Sequence, residues 1–367
     1  MNSALAPLPP PAAPTSWPHE FRRFAREECA AQPVTAALCQ VLAEFPPLDD
    51  WMAEVPAAQA RVNLLLAAVH ERVLAGAGGE LAAYFPSVGG GRAPDAALPA
   101  ALRAMLQAQA PTLRQHLRTR ATQTNETGRC AVLRLALDAI AAHTGAQRLA
   151  LFDFGASAGL NLGVDGDRVR LVGAGGDATR GPGTRLALDC DWRGGLPPPA
   201  QDWTLAARAG TDLAPIDPSD PAARRWLEAC TWPDDTARLA RLRRALTWGD
   251  AAVRAGGVRV SAAADGLAEL TAWLPTLPQG VQPVLFNSWV LAYFNPAQRQ
   301  AHRDRVQALV ERSPLIALCA EAWPFHPWGQ GVAPAPEPSA TLWTAHDRHG
   351  TRALLWSHPH GAWARAA

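Results

Sequence analysis

One stretch limits what this chain can become: Arg148-Leu-Ala-Leu-Phe-Asp-Phe-Gly-Ala-Ser-Ala-Gly-Leu-Asn161. Leu149 to Asp153 read as a buried strand that ends in a carboxylate. Gly155-Ala-Ser157-Ala-Gly159 reads as a tight turn of small residues, and Leu160-Asn161-Leu162 as the opening of a helix. Glycine suits such a turn because a Cβ is poorly tolerated at positive φ. A strand, a glycine turn and a helix N-terminus together form a cradle for a nucleotide cofactor, with free N–H groups facing an anionic group. Asp153 then stands at the strand's carboxyl end, where open α/β sheets bind ligands. Ser157 occupies the place of the middle glycine of a dinucleotide fingerprint. A plain strand–helix turn would carry the same residues.

The rest of the chain divides around this stretch. Residues 1–14 are rich in Pro and Ala and read as a disordered tail. Residues 15–146 read as a helical N-terminal region. In it, Val62, Leu65, Leu66, Val69 and Val73 recur at helical spacing, and His70 on the same helix reads as a packed or surface residue. Thr122-Gln-Thr-Asn-Glu-Thr-Gly-Arg129 precedes the next helix. As a cap it would satisfy the first N–H groups and place Glu126 at the positive dipole end. As a polar cluster ahead of the cofactor strand it would line a substrate pocket with Gln123, Asn125 and Arg129.

From 147 to 367 short apolar strands alternate with helical segments, which argues for a parallel α/β sheet. The segment of about 163–200 reads as an inserted β-hairpin, formed by strands at 165–172 and 184–190. That insertion explains why Asp212 follows Gly159 by far more than the roughly 20 residues expected for a ribose-binding acid. Polar groups stand at successive strand ends: Asp153, Asp212, Asp265, Asn287 with Ser288, and Glu321. At the carboxyl ends of one sheet they converge on one crevice. Residues 340–346 and 351–357 form a closing hairpin, followed by His358-Pro-His-Gly361.

Composition excludes several classes. The chain is 48% hydrophobic and 18% charged, enough to bury a core. Its net charge is +1 and no basic run occurs, so no nucleic-acid footprint is expected. The six cysteines lack any Cys-x-x-Cys pairing, which argues for reduced thiols in a cytoplasm and against a structural metal. Neither a signal peptide nor a membrane span is expected.

The five alternating strands with a terminal antiparallel pair resemble a class I S-adenosylmethionine-dependent methyltransferase over about 148–367. The resemblance implies a Rossmann-like methyltransferase sheet with S-adenosylmethionine as cofactor. It implies that Asp153 and the turn Gly155, Ala156, Ser157 and Gly159 flank the methionine end; Asn161, Asn287 and Ser288 are further candidates for cofactor contact. It further implies that Asp212 binds ribose and that Asp265 lies near the adenine. More closely, Thr-Gln-Thr-Asn-Glu-x-Gly-Arg, Gly-Ala-Ser-Ala-Gly-Leu-Asn-Leu, Leu-x-Cys-Asp-Trp-Arg-Gly and Pro-His-Gly are together similar to an uncharacterised bacterial domain of unknown function, which brings no activity with it.

Methyl transfer requires a positioned nucleophile and often a base. Glu126, Glu321, Tyr293 and His360 are the candidate bases, and His326 a candidate substrate contact. Each has a plainer role open to it: cap, core or loop packing. The expectation is a methyltransferase acting on a small molecule, its N-terminal helices forming a lid. The rivals are a non-catalytic cofactor-binding or regulatory protein and a nicotinamide oxidoreductase.

Overall fold

The computed structural model describes residues 16–123, 125–173 and 175–367. The Pro/Ala-rich stretch 1–14 and Thr124 lie outside them. Contacts divide the described chain into two units, one helical and one built on a sheet.

The helical unit runs to Asn125 and includes Asp220–Arg243. It holds α1 (Trp17–Glu27), α2 (Pro33–Leu42), α3 (Leu48–Ala53), α4 (Val62–Leu74) and α5 (Leu98–Thr119), which continues through Pro111. Its core is aliphatic and aromatic, with Phe21, Leu65, Leu102 and Trp226 all buried. α2 lacks a cap of its own. Asp234 supplies one from 200 residues away, accepting from the Val34 and Thr35 N–H groups at 3.0 Å each. His70 is 1% exposed, and burial holds it down at about 4, so it is neutral. Its Nδ1 donates to the Thr231 carbonyl at 2.9 Å and its Nε2 accepts from Ser87 Oγ at 2.8 Å. It is a packed core histidine.

The sheet unit comprises Glu126–Ser219 and Arg244–Ala367. It begins with α6 (Cys130–Thr144), which ends at Gly145 in the left-handed conformation. The helical region read from sequence as 15–146 therefore gives its last helix to the sheet, because α6 buries both its faces, from Val132 to Ile140. There follow β1 (Arg148–Phe154), β2 (Arg168–Val172), β3 (Ala178–Arg180), β4 (Ala187–Trp192) and β5 (Thr204–Asp212). α7 (Pro221–Ala229) belongs to the helical unit, and α8 (Thr236–Arg254) has residues in both. The chain continues with β6 (Arg259–Ala262), α9 (Gly266–Trp273), β7 (Gln282–Ser288), α10 (Pro296–Arg312) and β8 (Ile316–Ala322). It closes with β9 (Thr341–Asp347), β10 (Gly350–Ser357) and β11 (Trp363–Ala366). Asn295 and Gln298 form a capping box at the start of α10.

The eleven strands make one mixed, mostly parallel sheet in the order β3-β2-β4-β11-β10-β9-β8-β7-β1-β5-β6. β6, β5, β1, β7 and β8 are parallel throughout. From β1 the chain builds outward through β5 and β6, then returns to the other side for β7 and β8. The order therefore reverses between β1 and β7, which is where such sheets open a crevice.

Two expectations are corrected. The strands at 165–172 and 184–190 do not pair as a hairpin: β2 and β4 run parallel, and the hairpin is β2 with the short β3. On its other side β4 pairs with β11, a strand not expected from the sequence. The turn after β1 leads not into an α-helix but into a 3₁₀ segment, Leu160–Gly166, only 7 residues long. So short an element carries little macrodipole. No described helix is long and apolar enough to cross a membrane.

Candidate functional site

At the carboxyl end of β1 the turn alternates. Gly155, Ser157 and Gly159 have φ of +82°, +52° and +68°. The turn hangs on the end of β5: the Gly155 and Ala156 N–H groups donate to the Thr211 carbonyl at 2.8 and 3.0 Å. Ser157 N–H donates to Asp212 Oδ2 at 2.9 Å, and Asp212 Oδ1 accepts from Ala214 N–H at 2.9 Å. Packing demands the glycines. A Cβ on Gly155 would lie 2.3 Å from Val290 Cγ2, and one on Gly159 2.7 Å from Val260 Cγ2. A left-handed Ser157 costs on the order of 1 kcal/mol, the kind of strain that gathers at functional sites.

Asp153 is 1% exposed and its Oδ2 accepts from Asn161 Nδ2 at 3.3 Å. Burial raises its carboxyl to about 7, against the Asn161 hydrogen bond; Asp212 pushes the same way and Arg129 opposes.

Across the switch point, β7 leaves the sheet through Asn287, Ser288 and Trp289, which has φ of +57°. A bulky residue in that conformation is a true outlier. Glu321, from β8, fixes this exit. Its Oε1 accepts from Asn287 Nδ2 at 2.8 Å, Val290 N–H at 2.9 Å and Leu291 N–H at 3.1 Å. Its Oε2 has no hydrogen-bond partner among the described residues. Glu321 is 0% exposed, and burial raises it to about 7 against those N–H donors.

Arg129 ties the end of β7 to a further segment. Its Nε donates to the Pro359 carbonyl at 2.8 Å, its Nη1 reaches Ser288 Oγ at 3.5 Å, and its guanidinium lies 5.9 Å over the Trp289 ring. Glu126 accepts from Gly128 N–H at 2.8 Å, and its other oxygen stands 3.9 Å from His360 Nδ1. Gly128 and Gly361 meet backbone to backbone: a Cβ on Gly128 would fall 2.4 Å from the His360 carbonyl oxygen, and one on Gly361 2.1 Å from that of Gly128. Three stretches singled out in the sequence thus interlock: Glu126 to Arg129, the end of β7, and Pro359 to Gly361.

Other expected site residues stand elsewhere. Asp265 caps α9, accepting from Ala268 N–H at 3.0 Å, and pairs with Arg305 at 2.8 Å. Its side chain is half exposed and already engaged by the cap and by Arg305. His326 is loop packing: Trp328 N–H donates to its Nδ1 at 3.2 Å, its Nε2 lies 3.5 Å from Thr344 Oγ1, and burial holds it at about 4. Tyr293 is 57% exposed. Gln123 and Asn125 belong to the helical unit. Trp289 was missed because nothing in a sequence marks a left-handed tryptophan.

Among the described residues no group of His, Cys, Asp or Glu side chains is placed to hold a metal ion. Two cavities lie away from the cluster: one of about 20 Å³ beside His70 and Asn63, and a groove of about 540 Å³ along Arg303, Trp328 and Thr351. A ligand that reaches Asp153 or Glu321 must part the residues covering them.

Two buried carboxyls that change charge near neutrality, flanking one fixed guanidinium, can take up or release a proton and can stabilise a cation. No curated protein matches the chain, and no solved structure does. The family model described as an uncharacterised protein conserved in bacteria, DUF2332, matches residues 18–365, and the chain belongs to that family.

Proposed function

We propose that the sheet is Rossmann-like and that the carboxyl ends of β1, β5 and β7 bind S-adenosylmethionine for methyl transfer to a small molecule. One observation carries the reading: the alternating positive-φ turn at the switch point, strapped to Asp212 and backed by buried Asp153. The residues suit such a ligand. The Asp212 charge raises Asp153, and a bound ammonium or sulfonium would be held by these two carboxyls and would relieve that repulsion. Asp212, with two backbone donors in place, keeps lone pairs for ribose hydroxyls. When bound, the cofactor supplies an electrophilic methyl group. The chain's own part is to orient the acceptor and hold its proton. Glu321 and Asp153 are the groups able to do so near neutral pH, with Arg129 fixing the charge balance. The free thiols, all buried except the partly exposed Cys230, agree with a cytoplasmic protein.

Calorimetric titration with S-adenosylmethionine and S-adenosylhomocysteine tests this. Micromolar binding, about −8 kcal/mol, lost in Asp212→Ala, is expected. Folded wild-type protein that binds neither compound overturns the proposal and favours a repurposed fold.

A further inference from the structure

The inserted segment delivers two charged side chains into the interior beside the cofactor turn. Arg185 and Asp167, at 2% and 0% side-chain exposure, form a bidentate pair, with Nε to Oδ1 at 2.6 Å. The Trp248 ring lies 5.0 Å from the guanidinium. A Cβ on Gly163 would strike both Arg185 and Trp248 at 2.8 Å, so the glycine there makes room for the pair. Arg185 also donates to the Leu160 carbonyl, the first residue beyond the turn.

From Arg185 a line of contacts leads back to the site. Its Nη2 lies 3.4 Å from Cys130 Sγ. Cys130 Sγ is 3.6 Å from Asn161 Oδ1, and Asn161 Nδ2 is 3.3 Å from Asp153 Oδ2. Guanidinium can only donate, so the sulfur must act as acceptor toward it. The thiol proton is then free to go to the amide oxygen. With its oxygen engaged, the Asn161 amide presents N–H to Asp153. Reversed, it would present its oxygen and favour the protonated acid.

We propose that Arg185, Cys130 and Asn161 form a hydrogen-bond relay, directed from the inserted segment to Asp153, that holds the Asn161 amide in the orientation favouring the ionised Asp153 carboxylate. All three are positioning residues. Burial pushes the Cys130 thiol up to about 12, so it stays a donor across the physiological range. Asp167, which also lies within hydrogen-bond reach of the thiol, is the rival acceptor for that single proton; it already takes Arg185 on both oxygens and the Leu186 N–H, whereas the Asn161 oxygen has Cys130 beside it at 3.6 Å. Besides Asn161, the charged groups facing Asp153 are Asp212 from β5, which raises it, and Arg129 ahead of α6, which lowers it.

The consequence for ligand binding rests on the proposed function. The test does not, because it needs no ligand. The infrared carboxyl band that disappears in Asp153→Asn is followed against pH in the full-length protein. In wild type its midpoint falls near 7. Cys130→Ala raises it by roughly half to one pH unit, the weight of one modest hydrogen bond. Cys130→Ser, whose hydroxyl can donate to the same oxygen, restores the wild-type midpoint. If Cys130→Ala does not fold, Asn161→Ala carries the test with a rise at least as large. An unmoved midpoint in whichever variant folds, or a serine that behaves like alanine, overturns the relay.

Discussion

Glu321 lends itself to a quantitative test. Its carboxyl is 0% exposed, one oxygen saturated by three N–H donors and the other without a hydrogen-bond partner among the described residues. Burial raises it from 4.5 to about 7. A carboxyl raised on folding contributes its full stability below its ordinary value and loses it as pH rises through the folded value. Going from pH 4.5 to pH 8 should therefore cost the native state about 3 kcal/mol at this one residue. Glu321→Gln keeps an oxygen for the Asn287, Val290 and Leu291 donors and cannot ionise. At pH 4.5 the variant should be no more stable than wild type. By pH 8 its stability relative to wild type should have improved by about 3 kcal/mol. Urea unfolding of both proteins at several pH values measures the difference. Parallel pH profiles would show that the carboxyl is not held up by burial, and would remove Glu321 as a proton carrier near neutrality. Asp153 behaves in the same sense, so Asp153→Asn serves as an independent control.

Gly155→Ala should destabilise by about 2 kcal/mol or more, because the new Cβ meets Val290 Cγ2 at 2.3 Å and sits at φ +82°. Val290→Ala should recover only the steric part, which a double-mutant cycle by thermal unfolding resolves. Gly361→Ala places its Cβ 2.1 Å from the Gly128 carbonyl oxygen and should cost about 3 kcal/mol. Hydrogen exchange at Gly128 and Arg129 should rise with it, and an unchanged exchange rate would refute the interlock.

The parallel strands were legible because burial on both faces writes continuous apolar runs such as Leu149 to Phe152 and Val284 to Phe286. Turn positions, strand ends and the Asn295 cap were legible because local chemistry decides them. What could not be read depends on distant partners. β4 lies beside β2 and β11 because of residues far along the chain, and alternating burial along β4 is the same whether its neighbours run parallel or antiparallel. Asp265 and Asp212 look alike in sequence. Only the fold shows that one meets Arg305 and the other the Ser157 N–H. The raised carboxyls of Asp153 and Glu321 follow from complete burial, which no spacing announces.

The place of β11 bears on how the molecule can be assembled. Among the described residues, β3, β2 and β4 join the rest of the sheet ladder only through this strand, by the pairs Trp363↔Asp191 and Ala364↔Trp192. During synthesis, β2 to β4 leave the ribosome long before the strand that joins them to the others. Until residues 363–366 are in place, β4 lacks its β11 partner, and that edge is open to pairing with other chains. The segment that carries Arg185 and Asp167 toward the turn after β1 is thus joined to the other strands by one made long after it.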